Sequence, residues 1–403
     1  MRRSPSAVLL ALSAVLAAAT AATAQVEALA IQGDDVAGRV EVDPETRAVR
    51  LSFATFGKGA APERTIEGRL IARAADRLRF DYEREQAGFV PFLRDLVGPR
   101  PRERVAVELR RGPDGALAGE VEGKAQRWVA APRVPEDLVV LVVPGLSTNL
   151  WNQYGVPYLD ENLAVLRARG LEARRLAINT EASVADNAAQ IALEVRREVA
   201  RGKRVLLLAH SKGGADSVTA LSDPALRDVL PRIAAFGAIQ PVYAGSPVAD
   251  LVGRSRVFQG VADKAFEALL PRVNRETDTG DRDAVRDLRS SARQAALARH
   301  PFPADLVPTV VIRGHFTGRS AFRPRHVLRK PLFVLQQLLE RRHGIASDGL
   351  VSLEWQRIPG ARAEVILEDI DHFEPGFRGE SPHTPCKVTH QLLDLALEAA
   401  AAR

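Results

Sequence analysis

The sequence is poor in cysteine, because Cys386 is the only one among 403 residues. A single thiol excludes an internal disulfide, so packing and hydrogen bonds must stabilise the fold. Cys386 is also a poor candidate for a nucleophile, since it lies in a proline-flanked segment near the C-terminus, outside any strand–turn–helix pattern. The chemistry must therefore be sought at other side chains.

The sequence also lacks a long, strongly apolar run. Arg2 and Arg3 precede an apolar stretch at residues 7–22, but this stretch is mainly alanine and is shorter than the roughly 20 strongly apolar residues of a comfortable membrane span. Small residues at 22–24 match the site that signal peptidase cleaves, so we interpret residues 1–24 as a removable export signal. A membrane anchor is the alternative. We expect an exported protein, periplasmic or extracellular.

A strong excess of one charge is absent as well. The formal net charge is +6, part of it lies in the export signal, and the remaining basic residues alternate with acidic ones, so no nucleic-acid partner is implied. The pairs Arg110–Arg111 and Arg341–Arg342 are interpreted as solvated faces. The alternative is that a modest positive surface contacts anionic lipid headgroups. No cofactor or metal ion is predicted, and the oligomeric state is left open.

Residues 25–133 alternate apolar and polar side chains with a period of two, which predicts antiparallel β-hairpins. In one hairpin, Leu78, Phe80 and Tyr82 pair with the strand that precedes the turn at residues 74–76. The region contains no cluster of His, Asp, Glu or Ser at a chemical spacing. We therefore expect a structural domain that covers the catalytic region or contributes to a substrate surface, with glycan or partner binding as the alternative.

The pattern changes at Pro132–Pro135 from hairpins to alternating strands and helices. Residues 134–403 therefore form a second predicted domain, with an α/β fold built on a mainly parallel, wound sheet that carries helices on both faces. A helix is expected at Val184–Ala200. The predicted strands comprise residues 138–143, 171–178, 205–209, 233–239, 309–312 and 363–370.

Ser211 carries the strongest chemical signal. It lies in a small-x-Ser-x-Gly turn, with Ala209 and Gly213 as the small residues, between a buried strand and a helical pattern. Such a turn holds the hydroxyl clear of the sheet beside a base, as a nucleophilic serine requires. The backbone amide of Lys212, at the start of the helix, can donate to an oxyanion. We predict Ser211 as the nucleophile; a structural serine turn is the alternative.

A second oxyanion donor is expected in the loop after the first strand of this domain. Gly145, in the run Val143–Ser147, lets the backbone turn so that the Leu146 amide points toward Ser211. An ordinary strand-to-helix turn is the alternative interpretation.

The acid and the base should follow the nucleophile in the order acid, then histidine. His372 lies just past the last predicted strand, in a loop at the carboxyl edge of the sheet that can reach back over Ser211. His383 is its main competitor. Asp348 precedes His372 in a turn that would also suit a structural aspartate. Together they predict a triad of Ser211, Asp348 and His372.

A cap or lid is predicted within residues 251–300, since apolar residues recur there at the spacing of an amphipathic helix. A core-packing helix is the alternative. The apolar positions are Val257, Phe258, Val261, Phe266, Leu269, Leu270 and Val273.

These motifs resemble the secreted bacterial triacylglycerol lipases of the α/β-hydrolase superfamily, over about residues 138–373. The run Ala244–Asp250, Ala-Gly-Ser-Pro-Val-Ala-Asp, adds a specific match. The resemblance implies an α/β-hydrolase fold with a helical cap. It also implies roles for individual residues: Ser211 as nucleophile, Asp348 as acid, His372 as base, and the Leu146 and Lys212 amides as oxyanion donors.

The chain departs from that family at several positions. Pro144 stands where the family usually has histidine, and Lys212 stands where it usually has glutamine or methionine. We expect Lys212 to add positive charge near the substrate. The family's calcium ligands do not map cleanly onto the loop at residues 371–377, its disulfide is impossible here, and the hairpin domain lies outside the common pattern.

The sequence thus predicts a hydrolase of carboxylic esters, similar to lipases and esterases, that acts through an acyl-enzyme on Ser211 and takes an ester or lipid substrate. Phospholipase, polyester depolymerase or acyltransferase activity with the same triad remains open. So does a non-catalytic envelope binding protein that retains the fold.

Overall fold

The chain divides into two compact units, Met1–Ala54 with Ala61–Ala131 and Thr55–Ala60 with Pro132–Arg403. The predicted export signal at residues 1–24 and the apolar residues at 257–273 lie outside the described residues. The computed structural model describes residues 27–43, 45–57, 61–74, 76–85, 102–114, 116–121, 124–130, 134–148, 151, 156–254, 281–316, 329–378 and 382–402.

The first unit is a closed antiparallel barrel in which each strand pairs with the next and β1 pairs with β8. Alternating side chains point into a barrel and away from it, which accounts for the period-two pattern of the sequence. The strands are β1 Glu27–Gln32, β2 Val36–Val42, β3 Ala48–Thr55, β4 Ala61–Arg73, β5 Arg77–Glu85, β6 Arg102–Arg111, β7 Leu117–Val121 and β8 Lys124–Ala130.

Aromatic and aliphatic side chains fill the barrel interior. The Phe80 ring stacks on Trp128 with ring centroids 5.6 Å apart and on Tyr82 at 6.3 Å. The indole Nε1 of Trp128 donates a hydrogen bond to Gln126 Oε1 at 2.9 Å, so its polar atom is satisfied inside the barrel. Phe53 is also fully buried. The interior is therefore a packed hydrophobic core.

The second unit contains a sheet of six parallel strands in the order β10-β9-β11-β12-β13-β14. This confirms the predicted α/β fold with a wound parallel sheet. The strands are β9 Leu138–Val143, β10 Glu172–Arg175, β11 Arg204–His210, β12 Ile233–Ile239, β13 Thr309–His315 and β14 Ala363–Glu368.

The described part of the chain includes eight α-helices. The helix α2 has the bounds that the sequence predicts, and the Ser183 side chain caps it by accepting a hydrogen bond from the Asp186 amide at 3.0 Å. The helices are α1 Asp160–Ala168, α2 Val184–Ala200, α3 Lys212–Leu221, α4 Pro247–Arg254, α5 Asp281–Asp287, α6 Ser290–Arg299, α7 Arg329–His343 and α8 Pro385–Ala401.

Two hydrophobic cores lie on opposite faces of the sheet. Along β9, Val140 and Val142 belong to the core that includes Leu392 of α8, whereas Val139 and Leu141 belong to the core that includes Ile191 of α2. A strand that is covered on both faces needs apolar side chains at every position. This explains why β9 is an uninterrupted run of leucine and valine.

Four strands have bounds other than those predicted, and β11 is longer than predicted by one residue at each end, Arg204 and His210. The edge strand β10 is limited to Glu172–Arg175, because it has a partner only on the β9 side. Strand β13 continues past Ile312 to His315, and β14 ends at Glu368. The added residues of β13 pair with β14, a long-range contact that local hydrophobicity does not encode.

Within the described ranges, no helix combines the length and the apolar character needed to span a bilayer. In the same part of the chain, no group of three or more His, Cys, Asp or Glu side chains is arranged to hold a metal ion. Cys386 is buried near the N-terminus of α8 and takes part in no disulfide.

Candidate active site

The sheet has a topological switch point between β9 and β11. From β9 the chain moves outward to β10 and then returns to the other side of β9 as β11, where Val143 and Ala209 are paired at the strand ends. Ligands of wound α/β sheets bind outside the carboxyl ends of the strands at such a point. The two loops that leave these strands carry Leu146 and Ser211.

Ser211 occupies a sharp turn between β11 and α3. Its φ and ψ angles are 58° and −126°, a conformation that is costly for a residue with a side chain and that is found where function requires it. The backbone is held there because the Ser211 amide donates to the Ile239 carbonyl at 3.1 Å and the Ser211 carbonyl accepts from the Val242 amide at 3.1 Å. The turn therefore projects the hydroxyl beyond the sheet.

Gly213 allows this turn to close against the neighbouring loop. A Cβ atom at this position would lie 2.5 Å from the carbonyl oxygens of both Val143 and Pro144. Because both atoms belong to the backbone, neither can move aside without displacing the loop. Glycine is thus required for the first turn of α3 to pack against the end of β9.

In the structure, the side chains of Ser211, His372 and Asp348 lie in contact with one another in that order. The Nε2 atom of His372 lies 2.7 Å from Ser211 Oγ, and its Nδ1 atom lies 2.7 Å from Asp348 Oδ2. A carboxylate only accepts hydrogen bonds, so Nδ1 carries the proton of the neutral imidazole and Nε2 accepts from the serine hydroxyl. This is the orientation in which a histidine can take the serine proton.

The Asp348 carboxylate is fully buried, and hydrogen bonds hold both of its oxygens. Oδ1 accepts from the amides of Leu350 and Val351 at 2.9 and 2.8 Å, and Oδ2 accepts from Gln356 Nε2 at 3.1 Å besides His372. A buried carboxylate is stable only when it is paired or hydrogen-bonded in this way. These contacts fix the orientation of the carboxylate, so that Oδ2 faces the imidazole of His372.

Gln356 is a site residue that the sequence analysis missed. Its amide donates to Asp348 and to the Gly314 carbonyl, while its Oε1 accepts from the Gly314 amide at 2.8 Å. It therefore connects the end of β13 to the acid. Gln356 follows Asp348 in a short 3₁₀ turn at Glu354–Gln356, and no regular spacing marks it.

His383, the competing histidine, is not part of this constellation. Its Nε2 lies 2.9 Å from the Glu368 carbonyl, and the residue is half-buried. His210, which precedes the nucleophile, is turned away from Ser211. Its ring contacts Tyr158 and the backbone of His372.

The predicted oxyanion donors lie on the two loops that flank Ser211. A Cβ atom on Gly145 would lie 3.0 Å from the Cβ of Ser211, so the β9 loop packs directly against the nucleophile. The Gly145 amide donates to the Tyr158 hydroxyl at 3.1 Å. In the part of the chain that the structure describes, the amides of Leu146 and Lys212 donate to no other protein group. Both remain available to a ligand.

The expectation that Lys212 places charge near the substrate is wrong. Its side chain is fully buried, and Nζ lies 3.0 and 2.9 Å from the two carboxylate oxygens of Asp216, which also accepts from Asn187 Nδ2 at 3.0 Å. Residues four apart share one face of a helix, so the side chain lies along α3 rather than over the nucleophile. Burial raises the pKa of the Asp216 carboxyl to about 6, and the Lys212 ammonium opposes this shift.

An aromatic cluster borders the base. The Phe373 ring contacts His372 edge-on with centroids 6.0 Å apart, and Trp151 contacts both Phe373 and Phe377 in the same manner at 6.0 and 5.4 Å. Trp151 is buried, whereas Phe373 and Phe377 are half-buried. The environment of the imidazole is thus apolar on this side.

Comparisons with known proteins find similarity in structure only. No protein-family model matches the chain, and no curated protein matches its sequence. Among solved structures, the lipase BlEst2 of Bacillus licheniformis in mature form is 21% identical, with 65% of this chain and 92% of that chain covered and a TM-score of 0.44.

Two further solved structures are similar at the same level. A metagenomic carboxyl esterase is 20% identical over 67% of this chain and 75% of that chain, with a TM-score of 0.45. Phospholipase PlaB from Legionella pneumophila is 17% identical over 65% of this chain and 60% of that chain, with a TM-score of 0.42. At such identities and TM-scores, the likeness carries no conclusion about the activity of this chain. By its own strand order and its strand–Ser211–helix turn, the second unit of this chain has the α/β-hydrolase fold.

Proposed function

We propose that the protein is a serine hydrolase that cleaves carboxylic esters through an acyl-enzyme on Ser211. The observation that carries the proposal is the continuous contact from Ser211 Oγ through His372 to Asp348, with 2.7 Å at each step. Ser211 is 8% exposed, in a turn that follows a buried strand. This combination supplies a nucleophile, a base and an orienting acid in one place.

In the first half of the reaction, Ser211 Oγ attacks the ester carbonyl carbon while His372 Nε2 takes the hydroxyl proton. The carbonyl oxygen becomes an oxyanion, which the Leu146 and Lys212 amides would stabilise by hydrogen bonds. The imidazolium then gives its proton to the departing alcohol oxygen as the C–O bond breaks. Asp348 keeps the imidazole in the required tautomer and stabilises its positive charge.

In the second half, water replaces the alcohol. His372 takes a proton from the water as its oxygen attacks the acyl carbon, and then returns the proton to Ser211 Oγ as the acid leaves. No cofactor enters either half. The apolar aromatic cluster of Trp151, Phe373 and Phe377 beside the base favours esters with apolar groups over strongly charged substrates.

We further propose that the protein acts outside the cytoplasm, on the basis of the export pattern at residues 1–24. Expression of the full chain in a bacterium with an intact export pathway, followed by mass spectrometry of the product, tests this. A mature N-terminus at Gln25 is expected. A full-length product that stays in the cytoplasm would contradict it.

The activity is tested with a panel of p-nitrophenyl esters of increasing acyl length, assayed on the wild-type chain and on Ser211→Ala. We expect hydrolysis by the wild type and a loss of at least about 10³-fold in kcat for the variant. Activity that extends to long acyl chains would indicate a lipase, and activity limited to acetate would indicate a short-chain esterase. Absence of hydrolysis across the panel, or equal rates for both proteins, would reject ester hydrolysis through Ser211.

A further inference from the structure

Tyr158 and His210 connect two loops of the site through a chain of hydrogen bonds. The Gly145 amide donates to the Tyr158 hydroxyl at 3.1 Å, this hydroxyl lies 2.5 Å from His210 Nδ1, and His210 Nε2 lies 3.0 Å from the His372 carbonyl oxygen. One end of the chain is the residue before the predicted oxyanion donor Leu146. The other end is the backbone of the base.

The direction of each hydrogen bond follows from the groups involved. The His372 carbonyl only accepts, so His210 Nε2 must carry a proton and donate to it. Burial and the neighbouring His372 lower the pKa of His210 to about 3, which keeps this imidazole neutral and makes Nδ1 an acceptor. The Tyr158 hydroxyl therefore donates to Nδ1, and its oxygen accepts from Gly145.

The surroundings of Tyr158 leave its ring little freedom. The ring lies 4.9 Å from the Phe377 ring, centroid to centroid, and a Cβ atom on Gly376 would lie 2.5 Å from a ring carbon. The Tyr158 carbonyl accepts from Arg175 Nη1 at 2.6 Å. The rigid side chain thus holds the hydroxyl in contact with Gly145 and His210.

We propose that Tyr158 and His210 are positioning residues that hold the oxyanion loop, residues 144–147, and the base loop, residues 369–378, at a fixed distance across Ser211. This inference rests on the proposed ester hydrolysis. Neither side chain forms a hydrogen bond with Ser211 Oγ or His372 Nε2; His210 reaches the base through its backbone carbonyl and through packing of the two rings, whose centroids are 5.1 Å apart. They act because the oxyanion donor and the imidazole must both meet the same substrate carbon and oxygen, and a displacement of about 1 Å between such groups can cost about a hundredfold in rate.

The test is Tyr158→Phe, which removes the hydroxyl and keeps the ring. We expect kcat for the best p-nitrophenyl ester to fall by about tenfold to a hundredfold, while KM changes by less than about threefold. We expect kcat to fall while KM stays nearly unchanged, because the hydrogen-bond chain aligns groups for the transition state and contributes nothing to substrate binding. The control is Tyr243→Phe, which removes the hydroxyl of a half-buried tyrosine that is not part of this hydrogen-bond chain. This variant should keep wild-type kcat.

A second variant separates positioning from general loss of structure. The Gln side chain in His210→Gln can still donate near the position of Nε2, so it should retain the link to His372 and lose only the link to Tyr158. We expect it to match Tyr158→Phe in kcat, and the double variant to be no slower than the slower single variant, because both changes break the same chain.

The outcomes are distinct. If the wild type hydrolyses esters and Tyr158→Phe retains wild-type kcat, the positioning role is overturned and the proposed function stands. Additive losses in the double variant, or an equal loss of kcat in Tyr243→Phe, would also overturn it. If the wild type hydrolyses no ester, the proposed function fails and the positioning role fails with it.

Discussion

The ammonium group of Lys212 lies 2.9 Å from the Asp216 carboxylate in an ion pair that is buried within the helix directly after the nucleophile. The pair spans the first turn of α3, whose N-terminal amide is the predicted oxyanion donor. The ion pair therefore fixes the Lys212 side chain along the segment that presents this amide. It also removes the lysine charge from the substrate side of the site.

Removal of the Asp216 charge should destabilise the protein strongly. In Asp216→Asn the Lys212 ammonium remains buried without a counter-ion, which costs about 3–5 kcal/mol. Urea denaturation at pH 8, where the carboxylate is ionised, measures this as a lower free energy of unfolding. The matched control is Asp228→Asn, which removes the partner of Arg196 in an exposed ion pair and should change the free energy of unfolding by less than about 1 kcal/mol. Equal effects of the two substitutions would contradict the account.

His210 should make the protein less stable in acid. Its pKa is about 3 in the folded protein and about 6.5 in the unfolded chain. As the pH falls below 6.5 the unfolded chain binds a proton that the folded protein does not, so the stabilising contribution is complete above this pH and is lost toward pH 3.

The size of this effect can be measured by comparison with His210→Gln. By pH 4.5 the wild type should have lost about 2–3 kcal/mol more of its free energy of unfolding than the variant, relative to pH 8. The comparison cancels the titration of the carboxylates that both proteins share. Parallel pH curves for the two proteins would show that His210 is not buried as a neutral imidazole.

Gly213 should tolerate no side chain. In Gly213→Ala the new Cβ would lie 2.5 Å from two backbone carbonyl oxygens, so the end of β9 and the start of α3 must separate. We expect kcat to fall by about a hundredfold or more, because the oxyanion donors move relative to Ser211.

Gly202→Ala provides the matched control, since Gly202 has a φ of 81° and no atom within 4 Å of a Cβ. It should cost about 1 kcal/mol in stability from backbone strain and leave kcat unchanged. Measurement of kcat and of the unfolding midpoint for both variants distinguishes a local clash at the site from a general cost of replacing glycine. Wild-type kcat in Gly213→Ala would contradict the close packing of α3 against the end of β9.

The local patterns of the sequence predict much of the second unit. Strand β9 and helix α2 have the predicted bounds, because an uninterrupted apolar run and a helical period each fix a local structure. The order of the motifs also anticipates that Ser211, Asp348 and His372 meet, since they follow three strands whose carboxyl ends share one edge of the sheet.

The contacts that support the site could not be predicted in the same way. Tyr158 lies 52 residues from His210 in sequence, and Gln356 contacts Asp348 from a short turn, so neither shows a periodic spacing. The Lys212 prediction is wrong because a residue next to the nucleophile in sequence can direct its side chain along the helix, away from the substrate. The barrel closes because β1 pairs with β8, at the two ends of the unit. Alternating hydrophobicity predicts the strands but does not specify this pairing.

The most direct test of the central claim is covalent labelling of the folded protein by a fluorophosphonate, with the modified residue identified by mass spectrometry. The account predicts one adduct, on Ser211, formed at a rate that falls at least about 10³-fold in His372→Ala and stays at the wild-type value in His383→Ala. Absence of an adduct on Ser211, or a rate that depends on His383 and not on His372, would contradict it.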